Sequence, residues 1–150
     1  MKKLFLIIAA IASLSACDPP KWMNVHDTEW FVKNKTDSPI MVRCHGFHND
    51  WNIRQCIMPK DSLSILYFNP YAYEGKPKFS ILTEHVKMIT LFEANGDSLN
   101  TWSIGNTNGF SRDLFDESNW RKYRKDTGTP MEDITWVFDI LPEDLTPARQ

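Results

Sequence analysis

Cys44, His45, His48, Asp50 and Cys56 bring two thiols, two imidazoles and a carboxylate into one short region, "CHGFHND" and the cysteine downstream of it. Imidazole with carboxylate is ligand chemistry for zinc or copper, and a thiol beside an imidazole is the makings of a nucleophile. A metal site needs three or four ligands in fixed geometry, and His-x-x-His supplies two. His26 and His85 complete the set only if the fold brings them to the same place. The nucleophile reading fails on a strand, where neighbours such as Cys44 and His45 point to opposite faces. The region therefore reads as a polar loop between strands. No metal or cofactor is expected, and His45, His48 and Asp50 are the ligand candidates if one binds.

Other chemistry-bearing groups have plainer readings of the same kind. "GNTNG" at 105–109 offers amides to an anion but lacks the Gly-Lys-Ser/Thr ending of a phosphate loop, and Asn with Gly is ordinary turn composition. Asp113, Asp116 and Glu117 could form the carboxyl pair of a glycosidase, yet acids at a helix start complement its dipole. The six tryptophans, with Tyr71 and Tyr73 in "NPYAYEGKP", exceed the needs of a small core. Trp30, Trp102 and Trp136 lie in strands and read as core, whereas Tyr71 and Tyr73 sit in a polar loop and are the candidates for ligand contact.

The N-terminus fixes the compartment in which any of this chemistry would operate. Lys2 and Lys3 precede an apolar run, Leu4 to Ala12, too short for the ~20 residues a spanning helix needs. The run ends in Leu14-Ser15-Ala16-Cys17, which resembles the lipobox of bacterial lipoproteins. That resemblance implies a signal peptide over 1–16, acylation of Cys17 with fatty chains such as palmitate, and a membrane-anchored product beginning at Cys17. Two or more chains anchor stably where one binds reversibly. Asp18 resembles the inner-membrane retention signal of enterobacterial lipoproteins, a region other bacteria read differently, so inner and outer membrane both stand. Outside the cytoplasm thiols oxidise, and the even remainder, Cys44 and Cys56, is expected to form a disulfide, with two free buried thiols as the alternative. Their phases disagree: Cys44 follows Ile40 and Val42, whereas Cys56 falls opposite to Trp51, Ile53 and Ile57, so the bridge would need a bulge or a rim position.

Without Lys2 and Lys3 the chain keeps 15 of its 17 basic residues against 19 acidic ones, a net charge of −4. Nucleic-acid binders concentrate basic charge, so nucleic acid is excluded as a partner. The one basic cluster, Arg121 to Lys125, reads as a solvated face.

The elements that must position these groups are short strands. After a tether over 17–27, a single domain over 28–150 begins with Glu29–Asn34, followed by Pro39–Cys44, Trp51–Met58 and Ser62–Phe68, where Leu63, Ile65 and Tyr67 share a face. Lys87–Glu93, "ANGDS" and Leu99–Ile104 form the signature of a hairpin, and Ile134, Trp136, Phe138 and Ile140 alternate strictly. Only Asp116–Lys125 reads as helical, with Asp116 as N-cap. The expectation is an all-β, antiparallel β-sandwich, immunoglobulin-like or transthyretin-like, with one short helix. "WFVKNKTDSPI", "MPKDS", "ITLFEANGDSLNTW" and "DITWVFDI" with "PEDL" also resemble small, mostly uncharacterised lipoproteins of Gram-negative anaerobes, a likeness of strand and turn grammar that implies no catalytic residue.

The expected function is thus a membrane-anchored lipoprotein of the cell envelope with a binding or assembly role, more a binder than an enzyme. Its expected partners are the membrane, through the lipid, and an envelope protein or glycan. The alternatives are an inhibitor or protective factor against a secreted hydrolase, or a small envelope hydrolase.

Overall fold

The structure, a computed structural model, describes residues 27–47, 52–69, 78–106, 112–126 and 132–146. Among the described residues eight strands, β1 (Thr28–Asn34), β2 (Ile40–Gly46), β3 (Asn52–Ile57), β4 (Ser62–Phe68), β5 (Val86–Phe92), β6 (Ser98–Ser103), β7 (Arg121–Asp126) and β8 (Glu132–Ile140), form two four-stranded sheets. Sheet A has the order β4-β1-β8-β7 and sheet B the order β3-β2-β5-β6. The expected all-β sandwich with one short helix is the fold.

Alternation builds it. Thr28, Trp30, Val32 and Asn34 of β1 are buried with half-exposed residues between them, and β8 repeats the pattern with Ile134, Trp136, Phe138 and Ile140. From sheet B, Ile40, Val42, Cys44, Ile57, Ile89, Leu91 and Trp102 meet them in one core. Aromatic rings run through this core in edge-to-face and tilted contacts. Phe79 lies 5.2 Å from Trp136 and 5.6 Å from Trp120, and Phe138 lies 5.4 Å from Trp120 and 5.6 Å from Trp102. Trp30, Trp102 and Trp136 are core residues, as their strand positions require, and so is Trp120.

Three features depart from the sequence reading. First, β1 and β8 are parallel, the one such pair among the described strands, so the first and last described strands lie side by side in the middle of sheet A. The strand order also differs from a constant-type immunoglobulin domain, whose first two strands share a sheet; here they lie in opposite sheets. Second, the helix is elsewhere. Asp116 does cap, its carboxylate accepting from the Ser118 N–H at 2.9 Å, but the element is a single 3-10 turn, Glu117–Asn119, that runs into β7. Trp120 and Tyr123, spaced like one helical face, are in fact buried and exposed respectively. The described helix is α1 (Ser80–His85), which seats Leu82 beside Phe79 in the core. Third, β4 bulges against β1 between Trp30 and Phe31, so Ile65 and Leu66 are both buried and Tyr67 turns outward.

The "ANGDS" hairpin joins β5 to β6 as expected. Its loop is one residue longer than a two-residue turn, with Gly96 N–H donating to Glu93 O and Glu93 N–H to Asp97 O. Gly96, at φ 96°, takes the left-handed position that glycine adopts without steric cost. Where the chain enters the domain, Asp27 is held in place: its carboxylate accepts from Tyr67 Oη at 2.7 Å and Asn69 Nδ2 at 3.2 Å. No helix among the described residues is long and apolar enough to cross a membrane.

Candidate functional site

The two cysteines are free, and register explains why. Cys44 pairs with Ile53 and Cys56 with Met41, three positions apart along β3. That is about 10 Å along the strand, against a Cα separation of at most ~7 Å for a disulfide. Cys44 also faces the core while Cys56 faces out. The expected bridge is therefore not made, and the phase disagreement in the sequence is its physical cause. Burial pushes the Cys44 thiol up to about 12, so it is an inert core side chain rather than a nucleophile.

Of the candidate metal ligands, His45 sits near the end of β2, paired with Asn52 and Met88. His48 and Asp50 lie outside the described residues, as do Cys17, Trp51, Tyr71 and Tyr73. Among the described residues no group of three His, Cys, Asp or Glu side chains converges. The three carboxylates read as an alternative catalytic set are engaged locally or exposed. Asp113 accepts from the Phe115 N–H at 2.9 Å, Asp116 caps Ser118, and Glu117 is exposed. The Ser118 N–H bond holds the Asp116 carboxyl below the ordinary aspartate range. Gly105 and Asn106 close a turn through the Asn106 N–H to Ser103 O bond.

The strongest buried polar constellation is one that the sequence did not flag. Asp144, in the 3-10 turn Pro142–Leu145, is buried, and its Oδ2 accepts from Arg112 Nη1 at 2.6 Å and from the Leu141 N–H at 2.8 Å. Arg112 Nη1 also donates to Asp139 O at 2.9 Å, its guanidinium lies 4.5 Å over the Phe138 ring, and its carbonyl accepts from Trp102 Nε1 at 2.8 Å. Asn100 Nδ2 donates to Asp144 O at 2.8 Å. Burial pushes the Asp144 carboxyl above the ordinary range, opposed by the Leu141 N–H and by Arg112. These bonds fasten β6, β8 and the C-terminal turn together. A carboxylate already accepting from a guanidinium and an amide is a structural bolt, and its strand-and-turn neighbours explain all of its engaged contacts.

One surface that can accept a ligand is the outer face of sheet A. Phe31 on β1 and Val137 on β8 floor a groove of about 300 Å³, rimmed by Lys33, Lys35, Ser62, Arg121 and Tyr123. Register aligns Phe31 with Val137 and Val137 with Arg121. Arg121 Nη2 donates to Asp139 Oδ1 at 2.7 Å, and its Nη1 to Tyr123 Oη. Two rings, a hydroxyl and three cations thus line a shallow trough that suits an acidic or ring-bearing partner. Searches against protein-family models, curated proteins and solved structures match nothing to this chain. Function has to be argued from the site itself.

The basic cluster Arg121–Lys125 contributes to this groove only because it is a strand. Arg121, Tyr123 and Lys125 fall on one side of β7; Lys122 falls on the other, where its Nζ lies 4.5 Å over the Trp136 ring. Charged residues on an edge strand also oppose edge-to-edge pairing with another sheet. The signal was present in the sequence: Phe31 and Lys33 share a phase in Glu29–Asn34, and Arg121 and Tyr123 share one once the segment is read with period two.

Proposed function

We propose that this chain is a lipid-anchored protein of the bacterial cell envelope that binds an envelope partner, protein or glycan, through the outer face of its sandwich and performs no catalysis. The observation that carries the anchor is Leu14-Ser15-Ala16-Cys17 at the end of a short apolar run behind Lys2 and Lys3. What supports binding is the groove rimmed by Lys33, Lys35, Arg121 and Tyr123. In this reading the acyl chains hold the domain at a membrane, and Asp27, where the described domain begins, is bonded to Tyr67 of β4.

The anchor is tested by metabolic labelling with radioactive palmitate in a bacterial host. Label on the wild-type chain and none on Cys17→Ala supports it; equal labelling of both, or none in either, overturns it. The binding face is tested separately by Lys33→Glu with Lys35→Glu, which should abolish partner cross-linking while leaving palmitate incorporation intact.

A further inference from the structure

Strands β2, β3, β5 and β6 contain no Asp or Glu, yet sheet B carries Arg43, His45 and Arg54 on its outer face. Register sets Arg43 directly opposite Arg54. The same row continues through Thr90 on β5 to Thr101 on β6. Directly opposed residues of an antiparallel pair have Cβ atoms about 4.5–5.5 Å apart, and like charges there repel. Both arginines are exposed, and neither forms an ion pair among the described residues. Arg54 Nε donates to Met41 Sδ at 3.2 Å, which orients the guanidinium and leaves its Nη groups for another acceptor. Beside them Thr101 Oγ1 donates to Thr90 Oγ1 at 3.2 Å, placing a hydroxyl pair next to Arg43.

A repulsion that the register builds into the sheet is relieved when one anion sits between the two guanidinium groups. We propose that the Arg54–Arg43–Thr90 row binds a phosphate-class oxyanion. A guanidinium presents two parallel N–H groups to two oxygens of one anion, and a tetrahedral phosphate has enough oxygens for both arginines, with a threonine hydroxyl beside them. A carboxylate has only two oxygens and satisfies one fork. Phosphate of this kind comes either from a soluble compound or from a lipid headgroup. The inference is independent of the anchor and of the groove on sheet A.

The test uses the full chain in non-ionic detergent at low, constant chloride, titrated calorimetrically with inorganic phosphate and with pyrophosphate, with melting curves in parallel. Wild type and Lys78→Gln, which changes an exposed loop cation before α1, should bind phosphate saturably and melt higher in its presence. Arg43→Gln and Arg54→Gln should each weaken binding about tenfold or more, the scale of a lost charge-assisted bond. Without phosphate each arginine variant should melt at or above wild type, because the repulsion is gone; this separates a lost site from a lost fold. Phosphatidylglycerol–phosphatidylcholine vesicles against phosphatidylcholine alone, with the Cys17→Ala chain so that no acyl group drives sedimentation, then give the source. Arg43-dependent co-sedimentation with the first supports a headgroup site, and phosphate binding without it supports a soluble ligand. Absence of saturable phosphate binding, affinity unchanged in both arginine variants, or an equal loss in Lys78→Gln overturns the proposal.

Discussion

The two sheets share one core but differ in charge. Sheet A holds Glu29, Asp133 and Asp139 in its strands together with Lys33, Arg121 and other cations, whereas the strands of sheet B hold cations and no carboxylate. On sheet A the register uses the mixture: Lys33 lies opposite Asp139, which also forms an ion pair with Arg121, and Lys125 lies opposite Asp133. On sheet B the register sets arginine against arginine. Sheet A neutralises part of its charge internally and keeps Lys33 and Lys35, beside rings, at its groove. Sheet B does not, and is completed by an anion from outside.

The largest effect should come from breaking what both faces rest on. Arg112→Ala leaves the Asp144 carboxylate buried without its cation, a change that typically costs about 3–5 kcal/mol. Denaturant unfolding should show that loss, and binding at both faces should weaken together. If stability is unchanged, the bolt does not hold the sheets.

Thiol reactivity sharpens the contrast between the two sides of sheet B. In the Cys17→Ala chain one thiol, Cys56, should react with a maleimide in the native state and a second, Cys44, only after unfolding. Mass measurement of the adducts decides this. Zero native adducts, with two appearing only after reduction, would instead restore the Cys44–Cys56 bridge. The raised Cys44 value has a defined sign. The folded state keeps the proton longer than the unfolded one, so the contribution is full below the ordinary thiol value of 9.0 and is lost as pH rises through about 12.

Smaller effects come from exchanging the character of the faces. Arg54→Glu gives sheet B a cross-strand ion pair and should stabilise the domain by about 0.2–1 kcal/mol, while Asp139→Asn strips Arg121 of its partner and should destabilise by a similar ~0.2–1 kcal/mol. Thermal melts at low salt should show the opposite signs, and both shifts should shrink in high salt. Shifts of the same sign would mean that register pairing does not govern these charges.

Acid titration is the subtlest probe. The buried Asp144 carboxyl keeps its proton to higher pH folded than unfolded, so its contribution is greatest below the ordinary carboxylate value and declines as pH rises through the raised one. Asp116 runs the other way: its contribution is present above 3.8 and is lost as pH falls. Unfolding measured from pH 3 to 7 should therefore show wild type losing stability relative to Asp144→Asn as pH rises. A gap independent of pH would contradict the direction assigned to Asp144.

Much of the fold was legible in local pattern. The period-two runs of β1 and β8, the Asn-Gly hairpin and the buried strand tryptophans all follow from residues a few positions apart. What sequence reasoning missed depends on distant partners. The parallel β1–β8 pairing joins opposite ends of the chain, and Arg112 meets Asp144 across 32 positions. The bulge that turns Tyr67 outward depends on β1. Asp116 does cap, but β7 stands where the sequence pattern suggests a helix, because pairing with β8 outweighs a marginal local preference. The facing arginines were each visible in the sequence, but their opposition required the register of β2 against β3.

The central claim, an anchored protein that works by binding, is tested most directly by cross-linking in intact membranes, with tagged wild type beside Cys17→Ala and Lys33→Glu/Lys35→Glu, and stoichiometry by mass. The account predicts one stoichiometric partner on wild type, lost from both variants, with palmitate retained on the lysine variant. Recovery of the same partner from all three, or of none from wild type, would contradict it.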